Sequence, residues 1–469
     1  MIAKDLPMFL QQYDLACLSL YSYLLGDTST GRAVVVDPQR DISQYLADAE
    51  ANGLTIERII ETHFHADFLS GHLELAEATG AAISYGDVAE TDFPMDPLAH
   101  GQVLSLGEVT LEVRHTPGHT PESISIVVSE HPGAAPTAVL TGDALFIGDV
   151  GRPDLLTSVG RTADSLARDL YRSLHSQLLT LPDETLVYPS HGAGSACGKH
   201  LSTAASSTIG EQRRTNYALA PMTEDQFVAA VTEGQSVAPL YFAFAADANR
   251  RERELLDDTE VPQELTLDEA VALAAGGAVL LDTRSPESFA SGHLRGSINV
   301  GLDGRFAEYA GDVLRPGEQV VLLGDRGRGA EAKIRLARIG FDSVAGEVPD
   351  IESALYAHPE LAAAASRLTA TEVESWMAEA TDLQLIDVRN PGEVEAGAIP
   401  GAVNFPLPQL LDELTQLDPT RQTVVFCAGG YRSAVAASTL RAHGFDTVAD
   451  LIGGYDAWVA AHAAAGATG

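Results

Sequence analysis

Glu61-Thr62-His63-Phe64-His65-Ala66-Asp67-Phe68 is the stretch whose reading decides the fold. It follows the run 56–60, which reads as a buried strand. It precedes 73–78, Leu-Glu-Leu-Ala-Glu-Ala, which reads as a helix capped by Ser70. Two histidines at i and i+2 of an extended segment point to one side. Asp67, two residues further on, reaches the same point if the chain turns there. Imidazoles and a carboxylate converging at the C-terminal edge of a strand suit a divalent metal. For this stretch alone, surface histidines in a loop are the alternative.

Working outward, three more turn segments are rich in ligand-type residues. They are His115-Thr116-Pro117-Gly118-His119-Thr120, Leu140-Thr141-Gly142-Asp143-Ala144-Leu145-Phe146 and Val187-Tyr188-Pro189-Ser190-His191-Gly192. Each follows an apolar strand and lies in a turn containing Gly or Pro. A rigid strand end fixes where such side chains point. One such loop means little, whereas four in this order are specific. Residues 18–25 and 33–36 read as a hairpin, and 42–52 as a helix. Short strands at 109–114, 124–128 and 138–140 suggest sheets covered by helices, an αββα arrangement. Cys17, inside the first apolar run, reads as core.

Over residues 12–250 the sequence resembles the metallo-β-lactamase superfamily. His63-x-His65-x-Asp67, then His119, Asp143 and His191, match its ligand order. Dinuclear members of that family carry His directly after the motif's aspartate, where this chain has Phe68. A phenyl ring binds no metal, so a second site loses a ligand. His72 is a substitute by position, but a helix start predicts solvent exposure for it. The chain is similar to the persulfide dioxygenase branch, and that resemblance implies one Fe(II) per chain on His63, His119 and Asp143. His65, Asp67 and His191 are then supporting residues or weaker ligands. Two histidines and one carboxylate on Fe(II) leave open positions for O₂ and substrate. Gly151-Arg152-Pro153-Asp154 resembles a substrate-side segment, with Arg152 a candidate for the thiol carrier's carboxylate or phosphate. An ion pair with a nearby acid is the alternative for Arg152. Gly194-Ser195-Ala196-Cys197-Gly198-Lys199 is similar to a segment of dioxygenases fused to rhodaneses. Lys199 two residues on would acidify a sulfur-binding Cys197, and a small buried residue is the alternative.

Composition narrows the setting. The chain has 469 residues, enough for about three domains. Its formal net charge of −37 makes nucleic acid and anionic membrane poor partners. Cysteine occurs only at 17, 197 and 427, which argues against a disulfide framework and for a reducing compartment. The N-terminal 25 residues are broken by Asp5, Gln11, Gln12 and Asp14, unlike a signal peptide. No apolar run is long enough to span a membrane, so a cytoplasmic protein is expected. Residues 249–260 are highly charged and read as a linker.

After Pro262 the chain repeats itself. Asp282-Thr283-Arg284-Ser285-Pro286, Gly292, Gly296 and Asn299 recur as Asp387-Val388-Arg389-Asn390-Pro391, Gly397, Gly401 and Asn404. Further on, Gly340-Phe341-Asp342 recurs as Gly444-Phe445-Asp446, one residue closer. Each unit alternates strands and helices around a mostly parallel sheet. In the second, the strand 423–426 runs into Cys427-Ala428-Gly429-Gly430-Tyr431-Arg432-Ser433 and a helix. A thiol in a Gly-rich loop at a helix N-terminus faces N–H groups and is a nucleophile. This resembles the rhodanese active-site loop, with Cys427 as persulfide carrier and Arg432 as the loop's arginine. In the first unit, counting back from Gly340 as Cys427 precedes Gly444 lands on Leu323, so that unit is expected to be silent. It also has Pro349-Asp350 where its partner has Gly453-Gly454.

The expected architecture is α/β: a metallo-β-lactamase αββα sandwich over 1–250, a silent rhodanese-like domain over 262–360 and a rhodanese domain over 366–469. The resemblance implies oxidation of a low-molecular-weight thiol persulfide by O₂ to sulfite, and sulfur transfer through Cys427 to sulfite, giving thiosulfate. A homo-oligomer is compatible with this reading. The alternatives are a dinuclear thioester hydrolase of the glyoxalase II kind, which needs a metal-bound hydroxide, and a sulfur-carrier scaffold.

Overall fold

Alternation of apolar residues builds the first half as two stacked six-stranded sheets. The computed structural model describes residues 7–155, 160–380 and 382–466. The first sheet runs β1 (Met8–Leu15), β2 (Leu20–Asp27), β3 (Arg32–Val36), β4 (Thr55–Ile60), β5 (Ala82–Gly86) and β6 (Asp96–Leu98) in spatial order. The expected hairpin is β2–β3, with Tyr23 opposite Val36. Pairing is parallel from β3 onward, and α1 (Ser43–Ala51) and α2 (His72–Thr79) supply the crossovers. Sequence reading missed β1, whose mixed MFLQQYDL pattern is that of a half-buried edge strand. It pairs with β2 along its whole length.

The second sheet holds β7 (Val103–Ser105), β8 (Thr110–His115), β9 (Ile124–Ser129), β10 (Ala138–Gly142), β11 (Leu186–Pro189) and β12 (Ser207–Thr208), also in spatial order. Period-two alternation sorts the layers. Tyr23, Leu25, Val34, Val36 and Ile60 pack with Leu111, Val113, Ile126, Val128 and Leu140 between the sheets. Their neighbours Leu24, Ala33, Val35 and Ile59 face Tyr45, Ala49 and Leu75 of the first helical layer. Val127 and Val139 face α3 (Ala163–Ser173), α4 (Ile209–Thr215) and α5 (Glu224–Thr232). The four layers are the αββα order expected.

This compact unit runs to Gln235 and resumes over Phe242–Leu256, which contains α6 (Phe242–Ala248). The linker reading of 249–260 fails for its first half. Asn249 is fully buried. Arg253 pairs with the buried Glu74 at 2.6 Å, which also takes Arg40 at 2.9 Å. The charges of this stretch are used in packing rather than in solvation.

The second unit comprises Ser236–Tyr241 and the chain from Asp257 onward. Its first repeat has a parallel sheet of β13 (Val279–Asp282), β15 (Ile298–Asn299), β16 (Val320–Gly324) and β17 (Val344–Pro349), plus the pair β14 (His293–Leu294) and β18 (Ala362–Ala363). Its second repeat has β19 (Ser366–Leu368), β20 (Gln384–Asp387), β21 (Val403–Asn404), β22 (Thr423–Phe426) and β23 (Val448–Leu451), in the order β19-β23-β22-β20-β21. The recurring residues form one buried latch in each repeat. Arg284 grips Asp282 and donates to the Gly292 carbonyl, and Arg389 does the same with Asp387 and Gly397, at 2.6 and 2.8 Å in both. The Asn299 and Asn404 amides close the latches on the Asp and Arg carbonyls. Sheet register corrects one alignment. Asp282 lies opposite Leu323 as Asp387 lies opposite Phe426, so Gly324, not Leu323, stands where Cys427 does. Gly324 precedes Gly340 by 16 residues where Cys427 precedes Gly444 by 17, so counting back overshoots by one. Glycine carries no thiol either. Among the described residues no helix is long and apolar enough to cross a membrane.

Candidate active sites

Each ligand-type turn leaves the C-terminal end of a strand: His63 follows β4, His119 β8, Asp143 β10 and His191 β11. Nε2 of His119 and of His63 lie 3.4 and 3.8 Å from Oδ2 of Asp143. These three atoms are all within 4.8 Å of one another, and all three residues are buried. The remote nitrogen of each imidazole is engaged. Nδ1 of His63 is 2.9 Å from Oγ1 of Thr62, whose own proton goes to Asp37, so the imidazole donates. Nδ1 of His119 donates to the Arg152 carbonyl at 2.9 Å. Both Nε2 lone pairs are therefore turned toward Asp143, because a hydrogen bond at each Nδ1 fixes the metal-binding tautomer. Nε2 of His63 and Oδ2 of Asp143 are buried without a hydrogen-bond partner. Each such atom costs about 1–3 kcal/mol if nothing meets it, and a cation at the centre of the triangle meets them together. Burial, reinforced by His65, pushes the His63 imidazole well below its usual range, which keeps it a neutral ligand. Burial alone would raise the Asp143 carboxyl, but His191, His63 and His119 outweigh it and hold it low.

Beside this triangle, His65, Asp67 and His191 form a second buried group whose ligand atoms also lie within 4.8 Å of one another. His191 bridges two carboxylates, with Nδ1 2.8 Å from Asp143 Oδ1 and Nε2 2.7 Å from Asp67 Oδ2. Burial would lower its pKa, but Asp143 and Asp67 raise it well above the usual range. His65 turns to Asp37 at 3.1 Å and Glu61 at 3.6 Å instead of joining the triangle. Phe68 is fully buried with its ring 4.4 Å from that of His65. His72, expected in solvent, is fully buried against Glu61 and the ring of Phe93, because the first turn of α2 packs onto the sheet end.

Two further expectations are corrected in part. The Arg152 guanidinium is buried, bidentate on Asp154 at 2.7 and 2.8 Å and donating to the Ala196 carbonyl. The ion-pair alternative describes it, and its carbonyl orients His119. Cys197 does lie at the site, its sulfur within 4.8 Å of ligand atoms of Asp143 and His191. Its thiol is not acidified: burial, with Asp67 and Asp143, raises its pKa well above the usual range. Lys199 donates to the Ala230 and Glu233 carbonyls instead. Gly151 is there because nothing larger fits. A Cβ at 151 would lie 2.0 Å from the Asp143 carbonyl oxygen and 3.0 Å from Nδ1 of His119. Sequence reading missed Asn249, which donates to the carbonyls of His65 and Phe68 at 2.8 and 2.9 Å and accepts from the Ser70 N–H. No local pattern marks it, since its partners are some 180 residues away.

In the second unit, Cys427 sits at the end of β22, buried, with its Sγ accepting the Gly430 N–H at 3.1 Å and 3.6 Å from Ser433 Oγ. The helix Tyr431–Ala442 starts beyond it. Arg432, expected in the loop, stands in the first turn of that helix, and its guanidinium is bidentate on Glu393 at 2.7 and 2.8 Å.

Family comparison agrees with both halves. Residues 17–191 match the metallo-beta-lactamase superfamily, and 266–346 and 369–461 each match the rhodanese-like domain. The chain is 31% identical over 249 residues to persulfide dioxygenase ETHE1, mitochondrial, of Bos taurus, spanning 52% of this chain and 89% of that protein. It is 34% identical over 173 residues to the cytoplasmic hydroxyacylglutathione hydrolase of Arabidopsis thaliana, spanning 36% of this chain and 63% of that protein. A solved metallo-beta-lactamase from Staphylococcus aureus subsp. aureus COL superposes with a TM-score of 0.66 at 35% identity, over 73% of this chain and 99% of that one.

Proposed function

We propose a function from one premise: the chain belongs to the metallo-β-lactamase superfamily, has persulfide dioxygenase homologues, and carries two rhodanese-like domains. On that premise the first unit oxidises a low-molecular-weight thiol persulfide, and the second moves sulfane sulfur through Cys427. The oxidation balances as RSSH + O₂ + H₂O giving RSH, sulfite and two protons. His63, His119 and Asp143 would hold a single Fe(II), which when bound supplies a redox-active Lewis acid with positions open to O₂ and persulfide. Thr62 and the Arg152 carbonyl hold the two imidazoles in their donor tautomers. His191 holds the remaining oxygen of Asp143. Cys197 and buried apolar groups such as Phe146 line the site and exclude water.

The observation that carries this reading is Phe68, a residue without a ligand atom at the second seat. Asp67 and His191 are paired with each other and Phe68 replaces a ligand, which favours one metal over two. The thioester-hydrolase alternative has a relative in its favour, yet it needs both seats and a metal-bound hydroxide. In the second unit, Cys427 as a persulfide gives its outer sulfur to sulfite. The S–S bond breaks, the new S–S bond makes thiosulfate, and the electron pair returns to Cys427 as thiolate.

The test is anaerobic iron loading, then O₂ uptake and product analysis with several thiol persulfides. The expected result is one iron per chain and uptake of O₂, with thiosulfate from the parental chain and sulfite from Cys427→Ser. Two metals per chain with thioester cleavage and no O₂ uptake would overturn the dioxygenase. Metal-loaded chain that takes up no O₂ yet relays persulfide would favour the carrier. Unchanged thiosulfate in Cys427→Ser would remove that residue from the reaction.

A further inference from the structure

The silent repeat has no thiol, yet it reaches the catalytic loop of the other. Tyr431 directly follows Gly430, whose N–H donates to Cys427 Sγ. The Tyr431 hydroxyl donates to the carbonyl of Gly301, in the silent repeat. Its ring lies against Gly301 and Gly304, where an added Cβ would come within 3.6 and 3.3 Å of it. The ring of Tyr309 packs at 5.3 Å on the same side. The segment that receives Tyr431 is itself held, because Arg335 donates to the carbonyls of Leu302 and Gly304.

On its other side the loop is held by its own repeat. Tyr455 N–H donates to the Cys427 carbonyl at 2.7 Å, and Asp456 N–H to that of Ala428 at 3.1 Å. Residues 427–431 are thus clamped between a turn of the second repeat and a wall supplied by the first. Backbone N–H donors at a sulfur are useful only while held in place. Gly430 is at φ +100°, a conformation open to many alternatives once a restraint is released.

We propose that the silent repeat serves as a template for the Cys427 loop, and that Tyr431 is the positioning residue through which it acts. The proposal deepens the sulfur-transfer reading above and rests on it for its biological meaning. Its test does not, because it reads the reactivity of Cys427 without turnover.

The full-length chain is treated with iodoacetamide at pH 7, and the label on Cys427 is followed by peptide mass. Three variants are compared with the parent: Tyr431→Phe, Tyr431→Ala and Gly304→Val. Gly304→Val alters only the silent repeat and pushes on the Tyr431 ring. Tyr431→Phe is expected to change the labelling rate about fivefold, the size of one hydrogen bond. Tyr431→Ala and Gly304→Val should change it in the same direction and at least as far. Thermal midpoints are taken alongside. A purely structural role would lower the midpoint and leave the labelling rate of folded protein unchanged. Parental labelling rates in all three variants would overturn the proposal, and so would a Cys427 that never labels in the parent. A parent that labels but forms no thiosulfate would overturn the sulfur-transfer reading and leave the template standing.

Discussion

Nδ1 of His191 lies 2.8 Å from Oδ1 of Asp143, and this contact decides which oxygen of that carboxylate is left for a metal. The same imidazole holds Asp67 at 2.7 Å with its other nitrogen. One charged ring therefore compensates two buried acids and directs the third ligand of the triangle.

Replacing His191 by Ala removes one partner from each of the two carboxylates and frees Asp143 to rotate. Iron affinity, measured by competition with a chelator, is expected to fall about 10–100-fold, the usual penalty for losing a residue that holds a metal ligand in place. Thr62→Val, which removes the acceptor of the His63 Nδ1–H, should fall in the same range. Parental affinity in both would mean that the triangle organises itself.

Phe68→His restores a nitrogen at the second seat. Metal analysis after loading with excess Zn²⁺ is expected to rise from one to two ions per chain. A ratio that stays at one would show that the Asp67–His191 pair, rather than the phenyl ring, closes the seat.

Gly151→Ala drives a methyl carbon into the Asp143 carbonyl and the His119 ring. Overpacking of this kind costs about 1–3 kcal/mol and shifts backbone. The expected outcome is a lower thermal midpoint together with loss of bound metal. Loss of stability with full metal content would count against a metal held on His119 and Asp143.

Asn249→Ala leaves three buried backbone groups of the metal motif without their partner. Relaxation recovers part of the loss, so about 2–4 kcal/mol is expected from denaturant unfolding. Ending the chain at 250 keeps Asn249 but removes Arg253 from Glu74, and should destabilise the first unit further.

His293 gives the second unit a pH dependence. Burial lowers its pKa from the usual 6.5 to about 4, with the Phe289 carbonyl opposing and Arg441 adding to the shift. The unfolded chain therefore takes up a proton first as pH falls. Stability is full above about 6.5 and declines toward about 4, by about 2 kcal/mol. Both tryptophans, Trp376 and Trp458, lie in this unit, so their fluorescence reports its unfolding in the whole protein. His293→Phe should flatten the profile over that range.

Much of the fold was legible because the four ligand turns all sit at strand ends, and apolar alternation names the strands before them. The residue type alone shows that Phe68 offers no ligand atom, and its ring is buried against His65. The Asp-x-Arg repeat is visible as recurrence, although its reason, a latch onto Gly292 or Gly397, exists only in the folded chain. His72 misled because a helix start is usually wet, and here the helix lies with that end against the sheet. Arg152 and Lys199 misled because a charged residue near a site does not say which partner it takes. Asn249 was invisible, since a single amide gripping a distant loop leaves no periodicity.

The chain leaves the first unit after Gln235, gives six residues to the second, returns at Phe242 and departs again after Leu256. Those six residues are used: the N–H of Leu240 donates to Asp312, and Gly311 lies against the ring of Tyr241. No single cut separates the two halves cleanly. A recombination event that swapped the dioxygenase-like half for another enzyme would have to carry Tyr241 behind or strip its pocket. Inheritance of the two halves as one gene is thus reinforced by the path of the backbone itself.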